Sequence, residues 1–301
     1  MSDTTHRSGG DSGSASPPGN AERLTPRSGR VKEARKLQRR SVREERGLFL
    51  VEGAKSIAEA LTVPGCVREV YAAASADPAA GPVLHDARAQ GVPVRACDDA
   101  AIAALADTVT PQGLVAVCAL IAETATPGEV GARVSADGAR PVVVCADVRD
   151  PGNAGTVIRC ADAAGADAVV LAGSSVDPHN PKTVRATVGS LFHLPILRAG
   201  DPAEVVSALR AAGMQVLAAD GAGEVDLDDA ADDGTLTAPT AWLMGNEAWG
   251  LPDDLAAAAT ARIAIPIHGR AESLNLATAA AVCLYASARA QRAARRGRSA
   301  G

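Results

Sequence analysis

The chain has 301 residues, which is enough for one large or two ordinary domains, and its formal net charge is −5. It contains no apolar run of the ~18 residues that a membrane span requires, and its N-terminus has no apolar signal-peptide core, so we expect a cytoplasmic protein without membrane contact. The six cysteines are scattered without a C-x-x-C pair, so we expect neither disulfides nor a bound metal.

The charge is distributed unevenly along the chain. Residues 22–46 contain ten Arg or Lys against four Glu, and residues 289–298 contain five Arg and no acid. Seven acidic residues lie between Asp220 and Asp233. Basic ends on an acidic body are typical of a protein that holds a polyanion at defined patches. Two solvated tails without a partner are the alternative interpretation.

The first 121 residues predict a disordered tail followed by a small α/β domain. Residues 1–28 are rich in Ser, Gly, Pro and Thr without hydrophobic periodicity, which predicts disorder. Residues 29–46 predict a basic helix that leads into the domain. The remaining predicted elements are a strand and turn at 47–53, helices at 54–61, 79–90 and 99–106, and strands at 67–72, 92–96 and 113–121.

Residues 122–140 are rich in Gly, Pro and Ala, and we expect a linker there. Residues 141–297 then alternate strands and helices, which predicts a parallel sheet with helices on both faces. General topology rules favour an open Rossmann-like sheet. The predicted strands lie at 141–148, 168–172, 194–197, 215–218, 242–244 and 262–267, and the helices at 155–164, 183–191, 202–212 and 273–296. We expect a turn at DPGNAG and an acidic loop at 220–234.

Two of these strands end in segments of small and polar residues, at 245–247 and 268–273. Ligands of open α/β sheets bind beyond the carboxyl ends of the strands, so both segments should form one pocket wall. Gly245 would allow backbone to approach the ligand closely. Ser273 is the expected N-cap of the last helix.

The amino-acid sequences of these two segments resemble the motifs of one protein family. GNEAWGL (residues 245–251) and IPIHGRAESLNLATA (residues 265–279) resemble the second and third motifs of the SpoU (TrmH-like) RNA 2′-O-ribose methyltransferases. The first motif of that family, Asn-x-Gly-x-x-x-Arg, matches residues 153–159, which read NAGTVIR. FLVEG (residues 49–53) also resembles the family, and the resemblance covers about residues 30–297.

The resemblance implies a fold that periodicity does not reveal. It implies that residues 141–297 form a methyltransferase domain with a C-terminal deep trefoil knot (SPOUT-type). It also implies that residues 29–121 form an L30e-like domain that binds the RNA substrate, and that the protein is a homodimer. The cofactor would be S-adenosylmethionine, and its expected binding residues are Leu243, Gly245, Ile265, Ile267 and Leu274.

The expected catalytic residues are Arg159, Asn153, Glu247, Ser273 and Asn275. Six positions separate Asn153 from Arg159, nearly two helical turns, and we expect both to face one crevice. Because a guanidinium is hard to deprotonate, Arg159 would stabilise developing alkoxide charge, while Asn153 and Glu247 orient it. Ser273 and Asn275 would complete the acceptor side.

The predicted activity is methyl transfer to a ribose 2′-hydroxyl of structured RNA, with 23S ribosomal RNA as the leading substrate. A transfer-RNA methyltransferase is one alternative. A non-catalytic RNA-binding or assembly protein of the same fold is another, and the intact set of five catalytic residues speaks against it. An ordinary Rossmann nucleotide enzyme is the third, but the sequence has neither G-x-G-x-x-G after a strand nor a P-loop.

Overall fold

The first part of the chain folds around a small mixed sheet. In the computed structural model, which describes residues 23–134 and 140–299, its strands are β1 (Leu48–Glu52), β2 (Val67–Ala73), β3 (Val94–Cys97) and β4 (Leu114–Ala119). Their order is β1-β4-β2-β3; β4 runs antiparallel to both neighbours, and β2 and β3 are parallel. The helices are α1 (Gly29–Arg35), α2 (Arg40–Arg46), α3 (Ala54–Thr62), α4 (Ala80–Ala89) and α5 (Asp99–Leu105).

The predicted disordered tail is partly structured. Residues 1–22 lie outside the described residues, but Leu24 forms a bridge with Cys97 at the end of β3. Its amide donates to the carbonyl of Ala96 at 2.9 Å, and its carbonyl accepts from the amide of Asp98 at 3.0 Å. Leu24 also packs against the core between α1, α5 and the sheet, so its apolar side chain orders the segment.

The predicted basic helix over 29–46 is interrupted. Arg39 has an extended backbone (φ −91°, ψ 131°), which separates α1 and a single 3-10 turn from α2. Val31, Ala34 and Leu37 face the core on this segment and are buried. The segment is therefore part of the first domain and not a free basic arm.

The second part of the chain is built on an eight-stranded sheet. Its strands are β5 (Glu123–Thr124), β6 (Val142–Ala146), β7 (Ala168–Ala172), β8 (Ile196–Ala199), β9 (Gln215–Ala219), β10 (Val225–Asp226), β11 (Thr240–Met244) and β12 (Ala261–Ala264). The order is β10-β12-β9-β11-β6-β7-β8-β5, and every pairing between these strands is parallel. The parallel sheet is thus confirmed.

Helices cover both faces of this sheet, as predicted. They are α6 (Pro127–Arg133), α7 (Pro151–Ala164), α8 (Pro181–Thr187), α9 (Pro202–Ala211), α10 (Leu227–Asp232), α11 (Asp253–Ala258) and α12 (Leu276–Ser299). Val142 and Val144 of β6 pack in the core with α6, α9 and α11, whereas Val143 and Cys145 pack in the core with α7, α8 and α12. Burial on both faces explains the continuous apolar runs of these strands.

The segment predicted to be a linker is largely structured. β5 pairs with β8 at the edge of the sheet, and α6 follows within the same segment. Thr126 and Glu129 form a capping box at the start of α6, in which the side chain of each accepts from the backbone amide of the other. A propensity argument missed this helix because two of its seven residues are glycine and one is proline.

Two further segments predicted to be irregular begin or contain helices. The DPGNAG sequence is not a turn: Asp150 caps α7, its carboxylate accepts from the amide of Asn153 at 2.8 Å, and Pro151 is the first helical residue. The acidic loop at 220–234 contains β10 and α10, and Asp226 caps α10.

The helix predicted at 183–191 is shorter than expected. It ends at Thr187, because Val188 adopts the left-handed conformation (φ 52°).

The last helix is fixed to the centre of the sheet. Trp242 of β11 is fully buried, and its indole N–H donates to the hydroxyl of Ser287 at 2.9 Å. The side-chain amide of Gln291 donates to the carbonyl of Ala238 at 3.0 Å. Within the described ranges, no helix is long and apolar enough to cross a membrane.

A buried ion pair joins the two parts of the molecule. Arg43 of α2 donates to the carboxylate of Asp177 at 2.6 and 3.0 Å, and both side chains are more than nine-tenths buried. The opposite oxygen of Asp177 accepts from the amide of His179 at 3.0 Å. His179 in turn accepts from the amides of Ile121 and Ala122 at its Nε2 atom and packs on Phe49. We call these residues, Arg43, Asp177 and His179, the interdomain network.

Candidate active site

A cavity of about 310 Å³ opens at the carboxyl ends of β9, β11 and β12. It lies where the predicted pocket wall was placed, beyond the ends of the two motif-bearing strands. Four of the five expected cofactor-binding residues line it, and they are Gly245, Ile265, Ile267 and Leu274. Its apolar wall is completed by Met244, Ile263, Leu276 and Ala279, and its polar wall by Asp220, Asn246, Glu247, Glu272 and Ser273.

The fifth expected residue, Leu243, does not line the cavity. Its side chain is fully buried in the core under α6, α9 and α11, on the other face of the sheet. Side chains alternate between faces along a strand, so the neighbouring Met244 points to the cavity side instead. A rule based on the strand end alone selects the right strand but does not decide between adjacent residues.

Gly245 is required by the protein's own backbone. The loop 246–250 folds back on itself, with reciprocal hydrogen bonds between the backbones of Asn246 and Gly250 at 2.8 and 2.9 Å. A Cβ atom on Gly245 would lie 2.4 Å from the carbonyl carbon of Gly250, so no other residue fits without a shift of backbone. The close approach expected here therefore occurs between two segments of the chain.

Glu247 connects the second motif to the first. Its carboxylate accepts from the backbone amides of Arg149 at 3.2 Å and Asp150 at 3.1 Å. It also accepts from the side-chain amide of Asn153 at 3.2 Å. These three donors hold an exposed carboxylate in one orientation, beside the cavity that it lines.

Asn275 connects the third motif to Asn153 of the first motif. Its Nδ2 donates to the Oδ1 of Asn153 at 3.0 Å. The side-chain amide of Asn153 is therefore hydrogen-bonded through its oxygen to Asn275 and through its nitrogen to Glu247. The Oδ1 of Asn275 accepts from the amides of Ala277 at 2.9 Å and Thr278 at 3.3 Å. Asn275 is therefore the N-cap of α12, which begins at Leu276, and the expected N-cap role of Ser273 is wrong. We call Glu247, Asn153 and Asn275 the motif network.

Ser273 and Arg159 stand apart from the motif network. Ser273 lies exposed on the cavity wall and has no hydrogen-bond partner among the described residues. Arg159 is exposed on α7, does not line the cavity, and forms no hydrogen bond or ion pair within the described part of the chain. Six helical positions correspond to a rotation of about 600°, so Arg159 and Asn153 project in different directions from α7 and do not face one crevice as expected.

The glycine of the first motif serves helix packing. A Cβ atom on Gly155 would lie 2.5 Å from the carbonyl oxygen of Thr183 and 2.6 Å from the Cβ of Ala186. Gly155 thus lets α7 approach α8 closely, which positions the N-terminal turn that carries Asn153. The amide of Asn153 and the ammonium of Lys182 lower the pKa of Asp150, which keeps the helix cap ionised.

Profile and structural comparisons place the chain among known proteins. A profile of the SpoU rRNA methylase family matches residues 140–285, and a profile of the MRM3-like substrate binding domain matches residues 29–116. The 23S rRNA (guanosine(2553)-2′-O)-methyltransferase RlmP of Bacillus subtilis is 34% identical over 264 residues, which is 85% of this chain and 94% of that protein.

Two solved structures with bound AdoMet (S-adenosylmethionine) share the fold. One is an rRNA methyltransferase from Sinorhizobium meliloti, with 34% identity and a TM-score of 0.75 over 89% of this chain and 97% of that chain. The other is the SpoU methyltransferase AviRb from Streptomyces viridochromogenes, with 31% identity and a TM-score of 0.71 over 89% of this chain and 100% of that chain.

The chain belongs to the SpoU methyltransferase family, and the predicted resemblance is confirmed. It is an S-adenosylmethionine-dependent RNA ribose 2′-O-methyltransferase, with a substrate-binding domain before the catalytic domain. The cavity fits this cofactor, because its aliphatic wall suits the adenosine and the carboxylate of Glu272, which has no partner among the described residues, suits a cationic sulfonium or ammonium. Within the described ranges, no cluster of His, Cys, Asp and Glu is placed to hold a metal ion.

Proposed function

We propose that this protein methylates the 2′-hydroxyl of a nucleotide in 23S ribosomal RNA. The observation that carries the proposal is the motif network, which joins three segments of the chain at the rim of the cavity. The Bacillus subtilis relative, which is named for its action on 23S rRNA and is similar over most of this chain, supports ribosomal RNA over transfer RNA. With 23S rRNA as the substrate, the methylation reaction would take place in the cytoplasm.

Bound S-adenosylmethionine supplies a methyl group on a positively charged sulfonium. Gly245, Ile265, Ile267 and Leu274 would hold it by backbone and apolar contacts along the cavity wall. The 2′-hydroxyl must approach within roughly 3 Å of that methyl group, so most of the catalytic effect comes from positioning. The motif network would provide the rigid edge against which the acceptor ribose is placed.

The residues of the network would act through orientation. Glu247 receives three hydrogen bonds from the protein, so it serves to fix Asn153 and the 149–150 backbone. Asn153 and Asn275 are fixed against each other and present their remaining lone pairs and N–H bonds to the acceptor side. The hydroxyl of Ser273 has no partner among the described residues and lies on the cavity wall, so it would complete this side as a hydrogen-bonding group.

Arg159 would stabilise the negative charge that develops on the attacking oxygen. The hydroxyl loses its proton during attack, and the oxygen becomes more negative in the transition state. A guanidinium remains protonated, so Arg159 would stabilise that oxygen and a neighbouring phosphate. Because Arg159 does not reach the cavity of its own chain, we propose that it completes the site of a second copy.

A homodimer would bring these groups together. Val282 and Tyr285 project from α12 with 38% and 52% exposure, although large apolar side chains in this chain are mostly buried. α12 packs on α7, so a second copy docked on these residues would lie beside Arg159. Sedimentation of the purified protein at micromolar concentration should give twice the single-chain mass of 30.3 kDa. A mass near the single-chain value would reject the dimer and the shared site.

The catalytic domain is proposed to contain the deep trefoil knot that the resemblance implies. β11 returns between β6 and β9 in the sheet order. The segment 265–274 then lines the cavity together with residues 219–221 and 245–247, so three segments that are distant in the chain meet just before α12. This arrangement supports the knot in place of an open sheet.

The first domain, residues 29–121, is proposed to bind the RNA. Its basic segment provides exposed cations that have no hydrogen-bond or ion-pair partner among the described residues, namely Lys32, Arg35 and Arg39. Deletion of the whole segment would remove the buried residues of α1, so a triple Lys32→Gln, Arg35→Gln, Arg39→Gln variant is the sharper test. For every phosphate that the variant no longer neutralises, the log–log slope of RNA affinity against salt concentration should become shallower by roughly 0.7–0.9.

The activity itself is tested by methyl transfer from labelled cofactor to unmodified transcripts of 23S rRNA and of transfer RNAs, followed by mapping of ribose methylation. Methylation of one 23S nucleotide supports the proposal. Methylation confined to transfer RNA would move the substrate to the alternative class. Cofactor binding without turnover on either RNA would identify a non-catalytic RNA-binding protein of this fold.

A further inference from the structure

The chain contains only six aromatic residues, and one of them is exposed next to the motif network. Trp242, Tyr71 and Phe49 are fully buried, whereas Trp249 is 54% exposed. Trp249 lies in the 246–250 loop, two residues after Glu247. A single exposed apolar side chain is ordinary on a protein surface, so its meaning depends on what surrounds it.

A cation covers one face of this indole. The guanidinium carbon of Arg149 lies 5.1 Å from the centroid of the Trp249 ring. This is the geometry of a cation–π contact, which holds both side chains in place. The guanidinium of Arg149 has no hydrogen-bond or ion-pair partner within the described part of the chain, so its donors are available for an anion.

Both partners are fixed to the motif network. The amide of Arg149 donates to the carboxylate of Glu247, which also holds Asn153. The loop that carries Trp249 is closed by the backbone hydrogen bonds between Asn246 and Gly250. Its base is held further, because the side-chain amide of Asn246 donates to the carbonyl of Asp147 at 2.6 Å. The pair is therefore a rigid surface at the acceptor side of the site.

We propose that Trp249 and Arg149 form a binding site for an unpaired nucleobase beside the methyl-accepting ribose, with the base stacked on the indole and its phosphate on the guanidinium. The inference rests on the proposed RNA methyltransferase function and adds a specific contact to it. A 2′-hydroxyl in a stacked duplex is difficult to place in line with a methyl donor, and unstacked bases bind to aromatic side chains and arginine planes. Such stacking does not distinguish the four bases, so this site positions the nucleotide and does not select its identity.

The test compares Trp249→Ala with Trp249→Phe, which keeps an aromatic face. Methyl transfer to unmodified 23S transcript is measured as a function of RNA concentration, and cofactor affinity is measured separately by calorimetry. Trp249→Ala should raise the KM for RNA roughly ten- to a hundredfold, since stacking on an aromatic side chain contributes about 1–3 kcal/mol per base. Trp249→Phe should recover most of this loss, and both variants should bind the cofactor as the wild type does.

Fluorescence gives a second measurement that does not depend on turnover. The chain has two tryptophans, and Trp242 is fully buried. Binding of a single-stranded oligouridine should quench the emission of the wild-type protein, and Trp249→Phe, which retains only Trp242, should lose this quenching. An oligomer of the same length with abasic sugars should quench less than oligouridine.

Different results would contradict the proposed function and the proposed nucleobase site. A wild-type protein that methylates no RNA contradicts the proposed function. Normal methylation by Trp249→Ala with unchanged KM, or equal quenching in the wild type and Trp249→Phe, contradicts the nucleobase site while the function stands.

Discussion

The interdomain network and the motif network are built from similar groups but differ in exposure. Arg43, Asp177 and His179 are almost completely buried, and each polar group has a protein partner. Glu247 and Asn275 are exposed at the edge of a cavity, and Asn153 is half-buried between them. Burial turns the first network into a structural joint, because its groups are closed to ligands. Exposure leaves the second network with hydrogen-bonding capacity for a substrate.

Electrostatics support this distinction. Burial opposes ionisation of Asp177, but the hydrogen bonds from His179 and Arg43 outweigh it and hold the pKa of that carboxyl well below its usual range. The carboxyl therefore stays ionised throughout the range in which enzymes are assayed. Loss of its partner would leave a buried charge without compensation.

The largest expected effect is on the buried network. Arg43→Met should lower the free energy of unfolding by about 3–5 kcal/mol, because it leaves the Asp177 charge buried and unpaired. Arg40→Met is the matched control, since Arg40 lies on the same helix in an exposed pair with Glu44 and should cost no more than about 1 kcal/mol. Urea denaturation measures both. Equal losses in the two variants would show that burial does not distinguish these arginines.

Arg159 should affect activity and not stability. Arg159→Ala should reduce kcat about 10²–10³-fold, by analogy with the removal of one group that stabilises developing negative charge. Cofactor affinity should stay nearly unchanged, because Arg159 does not line the cavity. Arg140→Ala is the control, an exposed arginine before β6 that pairs with Asp167. Near-normal turnover of the Arg159 variant would remove it from the catalytic residues.

Glu247→Gln tests the exposed network. The glutamine N–H₂ group would face donors that now bond to a carboxylate oxygen, so Asn153 loses its fixed orientation. Misplacement of this kind can reduce turnover by up to about a hundredfold. The melting temperature should change little, since the carboxylate is exposed. Asp253→Asn, at an exposed carboxylate outside the cavity that has no hydrogen-bond partner among the described residues, controls for the loss of negative charge. Similar kcat values for the two variants would contradict the orienting role.

The smallest expected effect concerns a contact of intermediate exposure. His193 lies between Asp162 of α7 and Glu59 of α3, at 2.7 and 3.1 Å, and these carboxylates, Asp162 most strongly, raise its pKa above the ordinary value. The stabilisation is complete below the unfolded-state pKa of about 6.5 and is lost as the pH rises through the raised folded-state pKa. Wild type should therefore lose its stability advantage over His193→Gln as the pH increases. A difference in unfolding free energy that is constant from pH 6 to pH 9 would contradict this.

Parts of the fold follow directly from sequence patterns. The buried apolar runs around Val143, Val169, Val216 and Trp242 predicted parallel strands, since burial on both faces requires apolar residues at consecutive positions. The helix over 202–212 also agrees closely with α9. The short elements of the larger domain could not be predicted: β5 has two residues and is formed by pairing with β8, and α6 is closed by its capping box against a composition that disfavours helix.

The three motifs by themselves determined the family and the reaction class and indicated the strand ends at which the candidate site lies, because a motif fixes which chemical groups stand at strand ends and helix starts. The tertiary structure decided which of those groups meet. Asn153 bonds to Glu247 and Asn275, residues 94 and 122 positions away in the chain, and no local pattern encodes such pairings. The strand pleat turned Leu243 away from the cavity and Met244 toward it. Packing of α2 against the catalytic domain buried Arg43, so an arginine of the basic segment became a structural residue instead of an RNA contact.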